Sequence, residues 1–259
     1  MCQECGCGNG GGDVKIGAHT HEHDHHGHGH SHEHHDHGHS HGQQTLSLNR
    51  SLMEKNNLLA ERNRGFFRAK KLLVLNVVSS PGSGKTTFIR ETAAKLGASL
   101  RVGVIVGDLA TDNDAARLRT AGIPVVQITT GTVCHLDADM VAKAAAQLDL
   151  DQLDVLVIEN VGNLVCPADY DLGEDLRVVL LSVTEGEDKP LKYPPMFHSA
   201  QVAIVTKSDM ASAAGFNRDL ALINLHRVSH HAKIFELSAK TGDGMQAWLD
   251  FLVAQRIAV

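Results

Sequence analysis

The chain has 259 residues, 42% of them apolar, and a formal charge of −6. That length suits one large α/β domain or two small ones, and the lack of a basic surplus excludes nucleic acid as the main partner. No stretch approaches the roughly 18 apolar residues that span a bilayer, and no apolar leader opens the chain, so no membrane partner is expected. A cytoplasmic location is expected instead. There the five cysteines stay reduced, and metal binding or burial is a better expectation than disulfides.

The first residues, MCQECGCG, place Cys2, Cys5 and Cys7 close enough for three thiolates to wrap one soft or borderline ion. If Met1 is removed, the α-amine of Cys2 completes an S₃N set suited to square-planar Ni(II). A stretch from His19 to His41 follows in which 13 of 23 residues are histidine: His19, His21, His23, His25, His26, His28, His30, His32, His34, His35, His37, His39 and His41. Crowded neutral imidazoles on a chain without a core form overlapping, exchangeable sites for Ni, Zn or Cu, and the acids between them lower the charge cost. Ligation needs deprotonated histidine, so ions should leave as pH falls through about 6.5. Residues 1–44 contain almost no large apolar side chain beyond Val14 and Ile16. They are expected to be a disordered metal-binding segment in the absence of a ligand. Residues 45–259 form the candidate folded unit.

Residues 45–70 read as an amphipathic helix, with Leu48, Leu52 and Leu59 near one face and Gly65 as a stop. The run LLVLNVV (72–78) has the character of a buried parallel strand. SSPGSGKTT and a helical pattern from Phe88 come next. This is a phosphate loop, G-x-x-x-x-G-K-[ST], with Ser79 in place of the first glycine. Strand, glycine-rich turn and helix supply what the mechanism needs. Backbone N–H groups of Gly82, Ser83, Gly84, Lys85, Thr86 and Thr87 cradle phosphate, Lys85 reaches the β/γ oxygens, and the Thr86 hydroxyl ligates Mg²⁺.

Further strands are expected at 101–106, 124–128, 154–159, 177–183, 201–205 and 233–237, most alternating with helical patterns. The fold class is thus α/β, a doubly wound, mostly parallel sheet with ligands at the strand C-termini. Asp108 and Glu159 close two of these strands and can hold Mg²⁺ directly or through water. Thr206-Lys207-Ser208-Asp209 has the [NT]-K-x-D form that reads guanine: Asp209 accepts from N1–H and the exocyclic amine, and the Lys207 stem covers the base. Ser238-Ala239-Lys240 matches the S-A-K loop near guanine O6. Their order and spacing favour GTP over ATP.

Cys134 and His135 precede a helix starting near Asp137, and Cys166 lies four residues beyond Gly162. The spacing is not that of a zinc finger. Cys166 sits in the loop that, in GTPases, moves with the γ-phosphate, so a ligand there ties metal affinity to nucleotide state. Three protein ligands leave room for a partner subunit to complete the shell.

MCQECGCG, the histidine-rich insert, SSPGSGKTT, GTVCH, IENVGNLVCP, TKSD and SAK together resemble the hydrogenase nickel-incorporation GTPases, the HypB family, over essentially the whole chain. The resemblance implies a dimerising phosphate-loop GTPase, with Cys134, His135 and Cys166 at or near the homodimer interface binding Ni²⁺ or Zn²⁺. It implies slow, Mg²⁺-dependent hydrolysis of GTP to GDP that gates nickel delivery to the [NiFe]-hydrogenase large-subunit precursor, with a small zinc-binding accessory protein as partner. Several members of the larger class carry a lysine where Ser80 stands here, so transition-state charge must be neutralised in another way. Two other readings remain: a nickel storage and detoxification protein whose GTPase part only switches oligomeric state, and a urease-type chaperone. Helix 45–70 suits a dimer arm or a docking element equally.

Overall fold

The computed structural model describes residues 15–16, 41–97 and 99–258. Cys2, Cys5, Cys7 and the histidines from His19 to His39 lie outside them, and His41 is the first residue of a helix. The strands are β1 (Lys15–Ile16), β2 (Leu73–Ser79), β3 (Val102–Asp108), β4 (Val125–Thr129), β5 (Val155–Glu159), β6 (Leu176–Ser182), β7 (Val202–Thr206) and β8 (Lys233–Glu236). The helices are α1 (His41–Ala69), α2 (Lys85–Leu96), α3 (Asn113–Thr120), α4 (Ala138–Ala145), α5 (Lys189–Lys192), α6 (Pro194–Ser199), α7 (Arg218–Val228) and α8 (Met245–Ala258).

Among the described residues one sheet runs in the order β1-β4-β3-β5-β2-β6-β7-β8. β2 to β8 are parallel. β1 lies antiparallel on the edge strand β4, with Lys15 opposite Thr129 and Ile16 opposite Ile128. The strands expected from apolar runs are all present with ends moved by one or two residues, and α1 begins four residues earlier than its apolar pattern.

β2 is central, and its side chains alternate between two covered faces, as a doubly wound sheet requires. Leu73, Leu75 and Val77 pack with Phe88 and Ile89 of α2 and Trp248 and Leu252 of α8. Val74 packs on the other side with Phe67 of α1 and Val141 and Ala144 of α4. Val78 meets Met196 and Phe197 of α6. Chain order reverses at β2, with β3 and β5 on one side and β6 on the other. The phosphate loop at its C-terminus therefore opens at the topological switch point, where open α/β sheets bind ligands.

Asn76 interrupts this apolar strand and is fully buried. Its amide donates to Glu174 Oε1 at 3.1 Å and its oxygen accepts from Asn160 Nδ2 at 3.2 Å. Glu174 pairs with Arg177 at 2.9 Å, both nearly inaccessible. Arg177 also donates to the carbonyls of Ala168 and Tyr170. A buried ion pair is tolerated when its remaining hydrogen-bonding groups are satisfied, and this one fixes the course of residues 166–177.

α1 is fastened to that segment by polar contacts. Asn63 Nδ2 donates to the Ala138 carbonyl at 2.8 Å and to the Leu172 carbonyl at 3.1 Å, and Asn56 Nδ2 donates to the Asp171 carbonyl at 2.9 Å. Asn63→Ala leaves two buried carbonyls without their donor. It is expected to cost about 2 kcal/mol in denaturant unfolding; a loss below about 0.5 kcal/mol would mean that water replaces the amide.

Candidate nucleotide and metal sites

The loop between β2 and α2 turns through Gly82 (φ 74°) and Gly84 (φ 99°), left-handed values that a side chain disfavours. No side chain caps α2. Its first N–H groups face the loop, the usual basis of phosphate binding. Lys85 and Thr86 are buried there. Lys85 Nζ donates to Ser79 Oγ at 2.9 Å, so the serine that replaces the expected glycine holds the ammonium within the loop. Burial pushes the Lys85 pKa below its usual value, opposed by the charges of Glu159, Asp114, Glu185 and Asp108.

Thr86 Oγ1 donates to Glu159 Oε1 at 2.7 Å. Glu159 Oε2 is buried without a hydrogen-bond partner. A hydroxyl and a carboxylate with a spare oxygen are hard ligands of the kind Mg²⁺ takes, so these residues fit the ion. Asp108 is placed differently: its carboxylate accepts from the backbone N–H groups of Leu109 at 2.7 Å and Thr111 at 3.3 Å. It thus caps its own loop.

Burial raises the Glu159 pKa to about 7, against the hydrogen bond from Thr86 and the charge of Lys85, which lower it. Between about pH 4.5, the ordinary value, and about 7 the folded protein holds a proton that the unfolded chain has released. Stability without nucleotide or Mg²⁺ therefore falls as pH rises through that window. Glu159→Gln should remove this component, gaining on the parent in midpoint of unfolding as pH rises. Parallel pH profiles for the two chains would contradict it.

Thr206 to Asp209 approach the loop from β7. Thr206 Oγ1 donates to the Ser83 carbonyl at 3.2 Å, and Lys207 Nζ donates to the Gly82 carbonyl at 2.8 Å. Lys207 has φ 58°, a left-handed value uncommon for a residue with a side chain. Asp209 Oδ1 accepts from Ser238 Oγ at 2.7 Å. Gly84, Thr87, Thr206, Asp209, Ala239 and Lys240 are among the residues lining a cavity of about 190 Å³. The loops read from sequence as guanine-binding thus meet across one pocket.

A charge that the sequence reading lacked enters from α5. Lys189 Nζ lies 3.4 Å from Ser80 Oγ, so an ammonium stands beside position 80 although the residue there is serine.

Cys134, His135 and Cys166 converge, their ligand atoms all within 4.8 Å of one another. The two sulfurs are 2.9 Å apart, well beyond the roughly 2.05 Å of a disulfide. His135 stacks on Tyr170 with ring centroids 3.9 Å apart. Its Nδ1 is buried without a hydrogen-bond partner. Burial pushes the His135 pKa below the usual value, against the charges of Asp137 and Asp169, which keeps the imidazole in its ligating, neutral form. Two sulfurs and a nitrogen suit Zn²⁺ or Ni²⁺ better than a hard cation.

One segment joins the two sites. After Glu159, Asn160 Oδ1 accepts from Val161 N at 2.9 Å and from Leu136 N at 3.4 Å. Gly162 lies so close to the phosphate loop that a Cβ there would meet Pro81 at 3.1 Å. Asn163 Nδ2 donates to the Cys134 carbonyl at 3.3 Å, and Cys166 ends the segment. Sequence reasoning found its two ends, Glu159 and Cys166. It missed Asn160, Asn163, Tyr170 and Lys189; the visible hints were the asparagines flanking Val161-Gly162 and the lone Asn76 in an apolar strand.

Residues 73–236 match the family model described as CobW/HypB/UreG, nucleotide-binding domain. The hydrogenase maturation factor HypB of Escherichia coli (strain K12) is 50% identical over 216 residues, covering 83% of this chain and 74% of the relative. The hydrogenase/urease maturation factor HypB of Helicobacter pylori is 40% identical over 209 residues, 79% of this chain and 86% of the relative. Among solved structures, HypB from Helicobacter pylori in complex with nickel aligns with a TM-score of 0.75 and 41% identity over 79% of this chain and 96% of that one. HypB from Archaeoglobus fulgidus aligns with a TM-score of 0.74 and 38% identity over 78% of this chain and 99% of that one.

Proposed function

This chain belongs to the HypB family of hydrogenase maturation factors, and on that premise we propose that it is a GTP-hydrolysing nickel metallochaperone that stores Ni²⁺ and delivers it to the [NiFe]-hydrogenase large-subunit precursor. The observation that carries the proposal is the segment 159–166. At one end Glu159 accepts from Thr86, and at the other Cys166 Sγ meets Cys134 Sγ. A rearrangement driven by the γ-phosphate at Gly162 reaches the thiolate through the backbone.

In the reaction, the N–H groups at the start of α2 and the ammonium of Lys85 hold the β- and γ-phosphates, and Lys189 adds charge beside Ser80. Mg²⁺, when bound, neutralises phosphate charge. Thr86 and Glu159 would hold that ion; Asp108, expected from the sequence as a further ligand, caps its own loop in this structure. Asp209 fixes the guanine edge. Asp209→Asn turns one of its acceptor oxygens into a donor facing the guanine donors. It is expected to weaken GDP binding by about 10- to 100-fold, the range of losing a charge-assisted hydrogen bond. Displacement of a fluorescent GDP analogue reads this out; unchanged affinity would remove Asp209 from the base pocket.

Cys134, His135 and Cys166 carry nickel as cargo, or zinc at rest. Leu109, Val165 and Met210 are exposed apolar side chains near the strand C-termini and suit a nucleotide-dependent homodimer that completes the metal shell. A small zinc-binding accessory protein receives or passes on the ion. Cys2, Cys5 and Cys7 form the tight site, and the histidine tail is the reservoir. Its proposed place of action is the cytoplasm; among the described residues no helix is long and apolar enough to cross a membrane.

The test is nickel transfer to purified precursor with GTP, with GDP and with a non-hydrolysable analogue. Transfer that requires GTP hydrolysis supports delivery, and transfer indifferent to nucleotide overturns it. The 13 histidines of residues 19–41 favour storage as a second role. Changing them to glutamine should impair maturation in nickel-poor medium and spare it in nickel-rich medium.

A further inference from the structure

Outside residues 19–41 the chain has five histidines: His135, His198, His226, His230 and His231. One belongs to the cysteine site. The other four gather at the opposite end of the sheet, where α6 ends before β7 and where α7 ends before β8.

All four are exposed, and three of the rings touch. His198 and His231 have centroids 5.4 Å apart, and His230 and His231 have centroids 5.5 Å apart, each pair edge-on at 85°. Two imidazoles on one tetrahedral ion, with metal–nitrogen bonds of about 2.0–2.1 Å, put their ring centroids about 5 Å apart. The observed centroid spacing is close to that value.

The backbone beneath the rings is fixed. Ser229, buried between the two histidine-bearing segments, donates its hydroxyl to the Phe197 carbonyl. Its N–H donates to Leu225 O at 2.7 Å, and Ala232 N–H donates to its carbonyl at 3.0 Å. The residue before His198 is thus clamped to the residue before His230. His198 Nδ1 lies 3.2 Å from the Val228 carbonyl. As donor to that oxygen, the ring carries its proton on Nδ1 and leaves the lone pair on Nε2 free to bind. Metal-ligating histidines are oriented in this way.

From this geometry we infer that His198 and His231 form a second metal site on the folded part of the chain, for a nitrogen-preferring borderline divalent ion: Zn²⁺, Ni²⁺ or Cu²⁺. His230 stands at its edge and water fills the remaining positions. The three rings do not close as tightly as Cys134, His135 and Cys166, which are the three-ligand group within 4.8 Å among the described residues. The site is therefore a weak, exchangeable one, at the far end of the sheet from the nucleotide, where an ion can load or leave without passing the phosphate loop.

The test needs a reading at single residues, because the full chain binds ions elsewhere. Full-length protein is treated with diethyl pyrocarbonate with and without Zn²⁺, and modification of each histidine is followed by peptide mass spectrometry. Zinc at about ten times its dissociation constant should slow modification of His198 and His231 by about tenfold. His226, exposed on the same helix end, serves as the unprotected reference. In His198→Ala the protection of His231 should fall to that of His226, and in His231→Ala that of His198 should do the same. Equal modification of His198 with and without zinc overturns the site, and so does protection of either ring that survives loss of the other. Both side chains are exposed, so neither change removes core packing.

Discussion

Replacing Lys85 by alanine is expected to lower the rate of GTP hydrolysis by about 10²- to 10³-fold, the loss typical of removing one preorganised donor to developing charge. The ammonium is buried beside Ser79, where water cannot substitute for it and where each interaction with phosphate is stronger than in solvent. The fold should survive, because Ser79 Oγ keeps its own bond to the Ser80 carbonyl at 2.8 Å and its contact with Ser83 Oγ. Arginine should not rescue the rate: its planar fork is larger than a compact ammonium and differs in geometry. Phosphate release measured at saturating GTP decides the matter. A rate within about threefold of the parent, with the fold intact by thermal unfolding, would falsify the assignment of Lys85 to the phosphates.

Cys166→Ala is expected to weaken metal binding at the Cys134–His135 site by about 100-fold or more, since loss of even an outer partner of a ligand costs about 10- to 100-fold. The measurement belongs in a chain whose Cys2, Cys5 and Cys7 are serine, so that sulfur-to-metal absorbance comes from this site alone. In the parent background a non-hydrolysable GTP analogue should change the affinity relative to GDP. Cys166→Ala should remove both the absorbance and that difference. Asn163→Ala should separate them. It keeps all three ligands but cuts the bond from Nδ2 to the Cys134 carbonyl, so metal still binds and the response to nucleotide shrinks. If Cys166→Ala binds metal as the parent does, the convergence of the two sulfurs has no bearing on cargo. If Asn163→Ala keeps the full nucleotide response, the coupling runs through Asn160 and Leu136 or through a second subunit.

The parallel strands could be read from the sequence because buried strands are continuous apolar runs ending at turn residues. LLVLNVV, DVLVIE and QVAIV announce themselves in this way. The phosphate loop, TKSD and SAK were legible as well, since each is a local arrangement of backbone and side chain. What stayed hidden is held by contacts across long separations in the chain. Asn76 links Glu174, 98 positions away, to Asn160, 84 positions away, and Arg177 on Glu174 extends that network to the Ala168 and Tyr170 carbonyls; no period encodes the approach of these segments. Tyr170 stacks on His135 only because that network fixes residues 166–177. Lys189 reaches Ser80 across 109 positions, so a missing lysine in one motif gave no indication of where another would enter. The early start of α1 reflects polar residues, Gln43 and Gln44, that carry no apolar signal yet extend a helix already nucleated by its packed half.

The two-residue strand β1 covers the Ile128–Thr129 end of the edge strand β4. Without it β4 presents a row of unpaired N–H and C=O groups, a ready template for another polypeptide. A chain cut after Ile16 to isolate the catalytic part therefore differs from the whole in colloidal behaviour as well as in metal content. Its self-association would report a bare strand before it reported nucleotide. Changing side chains in the tail while leaving the backbone entire keeps that pairing, and the two effects can then be told apart.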